Sequence, residues 1–76
     1  MEALKLSIDE IVVASKECRP VVYDAIAAGH LKSFLVGRRR FARPEAVRAW
    51  VDYLEKQSDL GKPVVYRARM AEREAV

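Results

Sequence analysis

Cysteine is almost missing from this chain: Cys18 is the only one among 76 residues. That excludes an internal disulfide and a cysteine-based zinc cluster, and it fits a reducing compartment. The one histidine, His30, has no companion ligands at a metal-site spacing, and no carboxylate stands at a spacing suggestive of a catalytic pair. Neither Cys18 nor any serine has a base placed to activate it as a nucleophile. Glycine occurs three times and never in a cluster that would cradle phosphates. No apolar run approaches the ~20 residues needed to span a bilayer. Residues 1–10 include three acids and lack the apolar stretch of a signal peptide. The expectation is a soluble, cytoplasmic protein that is not an enzyme and takes no cofactor, metal or small-molecule substrate.

What the chain does have is charge, unevenly spread. Charged residues make up 33% and the formal net charge is +3, a weak indication on its own. Residues 1–15 carry one Lys/Arg against three Asp/Glu, and residues 44–61 carry two against four. Between them, residues 16–43 carry seven against two. The basic excess is a central patch, the usual mark of a polyanionic partner.

The chain is short enough that one domain is expected, with residues 1–61 forming it and 62–76 a tail. Ser7 and Glu10 have the spacing of a capping box, with Leu6 and Ile11 as the flanking apolar staple. A first helix from about Ile8 to Ser15 follows. Pro20 suits the first turn of a second helix beginning near Arg19. Val22, Ala25 and Ile26 give that helix a narrow apolar stripe, and Gly29 supplies its left-handed terminus. Leu31–Val36 and Arg39–Ala42 read as strands joined by a Gly37-Arg38 turn. Pro44 opens a third helix, ending near Gln57, with Val47, Trp50, Val51 and Leu54 on its apolar face. Trp50 is therefore a core residue. Val64-Val65-Tyr66 either extends along the domain or forms a short strand, and Arg67–Ala75 shows no convincing apolar face.

The expected fold is mainly α with a small β-hairpin. Its order (helix, tight turn, helix, two-stranded wing, third helix) is that of a winged helix-turn-helix, which puts its second helix in a major groove and its wing on neighbouring DNA. Arg38, Arg39 and Arg40 at the hairpin tip and exit are candidates for phosphate. Lys16 and Arg19 cluster where the second helix begins. Pro20, Tyr23, Asp24 and Ala27 lie opposite the apolar stripe. Tyr23 can donate to a phosphate, Asp24 can accept from a cytosine amine, and Pro20 or Ala27 can touch a thymine methyl. No Asn, Gln or Arg sits squarely on that face, so direct base reading is modest and DNA shape must contribute.

The ordered set Leu6-Ser7 and Glu10, Val22-Tyr23 and Ile26, Gly29 and Leu31, Val36 through Phe41, and Val47 with Trp50-Val51 resembles the excisionase family over roughly residues 4–54. These are small winged-helix proteins related in fold to MerR-type DNA-binding domains. The resemblance implies a recombination directionality factor of a phage or integrating element. Such a factor binds repeated sites on double-stranded DNA cooperatively, bends them, and helps an integrase run excision. Some relatives regulate transcription instead. Two departures stand out. The family's inter-helix turn resembles Leu-Gly-Val-Ser, whereas here it is Ser15-Lys16-Glu17-Cys18, which requires another path or a longer first helix. Val21 stands where a threonine is frequent.

Plainer readings exist for the same residues. An isolated arginine triplet suits a solvated turn as well as DNA, and the neighbouring helices favour DNA. Tyr23 can also pack at the domain edge. Cys18 reads as a cap substitute or a small buried residue, and His30 as a loop residue near DNA. A winged fold that has given up DNA for a protein partner is a further alternative, separable by its insensitivity to salt.

Overall fold

The computed structural model describes residues 3–66. Its elements run β1 (Leu6–Ser7), α1 (Ile8–Ser15), α2 (Arg19–Ala27), β2 (Phe34–Val36), β3 (Arg39–Ala42) and α3 (Pro44–Asp59). Three helices and one three-stranded antiparallel sheet make a mixed α/β structure, with strand order β1-β3-β2.

Local chemistry explains most element ends. Ser7 Oγ accepts from the Glu10 backbone N–H at 3.3 Å, and Glu10 Oε1 accepts from the Ser7 N–H at 3.0 Å. Two of the donors orphaned at the start of α1 are thus satisfied. Lys16 ends α1 in the left-handed region at φ 59. The turn without glycine therefore takes the left-handed path on a lysine, and α1 is not lengthened. At the end of α2, Gly29 has φ 80. Its N–H donates to Ile26 O, and the His30 N–H reaches back to Ala25 O at 2.9 Å, the paired bonds of a Schellman terminus. The same pair recurs after α3, from Gly61 to Ser58 O and from Lys62 to Gln57 O. That terminus carries the helix two residues past the expected Gln57.

The sheet differs from the two-stranded hairpin expected. Leu6 pairs with Ala42 and Ser7 with Phe41, adding β1 to the free side of β3. The extended backbone that Ser7 needs as an N-cap (φ −73, ψ 169) is already strand geometry, so pairing costs it nothing further. On the other side β2 begins only at Phe34 rather than Leu31. Leu31 is 1% exposed and belongs to the core, so burial takes it out of the ladder. The two-residue link Gly37-Arg38 joins Val36 to its partner Arg39. Gly37 has φ 62, a conformation glycine adopts without penalty.

Trp50, fully buried, lies in a core of Ile8, Ile11, Val21, Val22, Ala25, Leu31, Ala42, Val47 and Tyr66. On α2 the buried face is Val21, Val22 and Ala25, with Ile26 only half-buried. The helix is thus rotated slightly from the expected stripe. On α3, Val51 is 41% exposed and Leu54 half-buried. Residues 62–66 form no strand; Val64 packs against the core and Tyr66 joins it. The expectation for Arg67–Ala75 falls outside the described residues.

Candidate nucleic-acid interface

With Val21, Val22 and Ala25 buried, the outward line of α2 is Pro20, Tyr23 and Ala27, all exposed. Arg19 and Asp24 flank that line on opposite sides. Arg19 is exposed and pairs with Asp9 of α1, which ties the start of α2 to the first turn of α1. Asp24 is half-buried. Together with Ala27 and Ala28 it borders a hollow whose far wall is Val64, Val65 and Tyr66. The C-terminal strap therefore runs beside the last turn of α2 and leaves Pro20 and Tyr23 open.

Cys18 occupies the N-cap of α2 without a side-chain cap bond. It is half-buried against the core, so it acts by packing. Lys16 is exposed at the left-handed end of α1. The turn therefore projects a cation just before the N-terminus of α2, where backbone N–H groups favour anions.

On the hairpin, Arg38 is exposed at the tip. Arg39 is also exposed, and its guanidinium carbon lies 5.3 Å from the Phe41 ring centre. Arg40, on the opposite side of β3, is half-buried and donates from Nη1 to Ser33 Oγ at 2.6 Å. The arginine triplet is thus split by the strand's alternation. Arg38 and Arg39 face solvent at the tip, while Arg40 braces the loop leading into β2.

The first turn of α1 neighbours three of the chain's cations. Asp9 holds Arg19, while Lys5 and Arg39 lie within electrostatic reach of Glu10. The Glu10 carboxyl titrates below its ordinary value, chiefly through its backbone and side-chain hydrogen bonds with Ser7, with smaller pulls from Lys5 and Arg39. Lys5 was not among the residues singled out from sequence. It precedes β1, and without that strand nothing in the chain brings residue 5 to residue 39.

His30 is not a free loop residue. Its Nδ1 lies 2.8 Å from Tyr66 Oη, and its ring packs 4.7 Å from that of Tyr53. Trp50 Nε1 donates to the same hydroxyl at 2.9 Å. When the tyrosine hydroxyl donates to Nδ1, His30 carries its own proton on Nε2. Among the described residues, no group of three or more His, Cys, Asp or Glu is placed to hold a metal ion. No helix among them is long and apolar enough to cross a membrane. No family model, curated protein or solved structure matches this chain.

Proposed function

We propose that the chain is a winged helix-turn-helix module that binds duplex DNA without a cofactor, acting as an excisionase-like recombination directionality factor. In this reading α2 enters the major groove along Pro20, Tyr23 and Ala27. The β2–β3 hairpin serves as the wing and sets Arg38 and Arg39 on the adjacent backbone or minor groove. The observation that carries the reading is the hairpin itself. Three paired positions, Phe34 with Phe41, Leu35 with Arg40 and Val36 with Arg39, hold a stiff finger whose tip is two exposed arginines.

Guanidinium groups on a paired strand lose less freedom on meeting phosphate than they would on an open loop. Lys16 and Arg19 supply the second set of cations, at the start of α2. A single module of this size buries only ~600–1,000 Å² on DNA. One copy therefore binds weakly, and useful occupancy comes from several protomers on repeated sites. The excision role rests on the resemblance of residues 4–54 to excisionases.

The test is footprinting on the DNA around its own gene, together with duplex binding measured across a salt series. Repeated, cooperatively filled sites beside an attachment site are expected. With about four phosphates neutralised, log K falls with log salt at a slope near −3.6. Arg38→Ala and Arg39→Ala weaken all sequences alike. Binding that ignores salt, or a single protomer on a straight site, would overturn the reading.

A further inference from the structure

Phe41 is 8% exposed, yet it stands outside the core cluster. Its side chain lies on the opposite face of the sheet from its neighbour Ala42 and the β1 residue Leu6, which pack into the core. Three groups cover it. Phe34, its partner across the hairpin, lies with ring centres 6.2 Å apart. The other two are cations: Lys5 Nζ at 4.8 Å and the Arg39 guanidinium carbon at 5.3 Å from the ring centre. Those two distances put the cations no more than about 10 Å from each other.

Two positive charges, one from just before β1 and one from β3, brought onto one ring repel each other. The ring quadrupole attracts each of them, and Glu10 lies within electrostatic reach of both. The Glu10 carboxylate is already engaged with the Ser7 N–H in the cap of α1. The cluster of Lys5, Arg39 and Glu10 is left with one net positive charge. Its ammonium and guanidinium hold eight N–H donors between them and no acceptor.

We propose that Lys5 and Arg39, seated on Phe41, form a clamp for a single backbone phosphate of duplex DNA, with Phe41 as the residue that positions both cations. The assignment rests on the DNA-binding reading above and adds a residue, Lys5, and a stoichiometry to it. The ring contacts bias both long side chains toward the phosphate position, which reduces the rotamer freedom lost on binding. A phosphate oxygen pair matches the guanidinium fork, and the ammonium closes the remaining side. Glu10 tunes the site as a fixed negative charge at its edge.

The test is the affinity of the full chain for a mixed-sequence duplex across a salt series, for the natural chain and five variants. Lys5→Gln and Arg39→Gln each lose about tenfold in affinity. Because the two cations share one phosphate, the double variant lowers the salt slope by about 0.9 in total. A drop of about 1.8 would mean two separate phosphates and would overturn the clamp. An unchanged slope in the double variant would remove both residues from the interface.

Glu10→Gln keeps the helix cap, since glutamine serves at that position, and tightens binding about threefold by removing the opposing charge. A purely structural role for the cluster predicts no tightening. Phe41→Leu retains every charge, so it loses affinity with the slope preserved. A natural chain that leaves the duplex unbound even at low salt would sink the DNA reading itself. A natural chain that binds steeply while the double variant matches it would sink the clamp alone.

Discussion

The indole of Trp50 donates to the hydroxyl of Tyr66 across 2.9 Å, and this bond fastens the C-terminal strap to the centre of the core. Tyr66 is the last residue of the described chain, and Trp50 is fully buried. The same hydroxyl meets His30 Nδ1, so one oxygen satisfies polar atoms from α3 and from the loop after α2. In a domain of this size a single such bolt is a sizeable part of the total stability.

Replacing Tyr66 by phenylalanine keeps the ring and deletes the bolt. Trp50 Nε1–H and His30 Nδ1 are then left without this partner in a buried or half-buried setting. The expected cost is about 1–3 kcal/mol, the penalty for stranding buried polar groups. Urea unfolding followed by Trp50 fluorescence measures it. A loss below about 0.5 kcal/mol would show that water or another group takes over both atoms.

The same hydroxyl sets an alkaline limit. Burial pushes Tyr66 above its ordinary value of 10.0, against the opposing hydrogen bond from Trp50. A raised value in the folded state means that the unfolded chain releases its proton first as pH rises. The contribution of Tyr66 is therefore complete below pH 10 and is lost as pH climbs through its folded value. Melting temperature measured over the alkaline range should fall more steeply for the natural chain than for Tyr66→Phe. Parallel curves would remove Tyr66 from the alkaline transition.

On the proposed DNA-binding reading, Lys16 links stability and binding with opposite signs. A lysine at φ 59 adopts a backbone that its Cβ disfavours. Lys16→Gly relieves about 1 kcal/mol of that strain, partly offset by glycine's greater freedom in the unfolded chain. The same change removes a cation at the start of α2, so duplex affinity drops and the salt slope shrinks by about 0.9. A glycine variant that is more stable and binds DNA equally well would show Lys16 to be a turn residue only.

On the same proposed reading, Asp24 separates sequence preference from general affinity. It flanks the outward line of α2 beside the strap, where a carboxylate can accept from a cytosine amine. Asp24→Asn should change the ranking of duplexes by about 1–3 kcal/mol at one base pair while leaving the salt slope alone. Competition binding across single-base variants of the footprinted site reads this directly. A uniform change over all variants would place Asp24 away from the bases.

Helix ends were legible in the residues because each is written by a few neighbours. Ser7 with Glu10 starts α1, and Gly29 closes α2 with two backbone bonds. The hairpin turn was legible for the same reason, at Gly37-Arg38. The arginines of the tip could be named from sequence, but not their separation into exposed Arg38 and Arg39 against a bonded Arg40. That split follows from the register of β3, which a triplet of identical residues does not display. Lys5 carries no signal in the sequence because it reaches Phe41 only beside β1, a two-residue strand too short to leave a periodic pattern.

From the sequence alone came the capping box, the glycine that ends the second helix, the two-residue hairpin link and the placement of Trp50 in the core. All are encoded within one or two turns of chain, where hydrogen-bond partners lie a few residues apart. The fold alone decided the pairing of Leu6 with Ala42, the withdrawal of Leu31 from the sheet into the core, and the meeting of His30 with Tyr66 across 36 positions. Those contacts join distant segments. Their free energy comes from closing the core as a whole, and no local pattern announces which partner will be there.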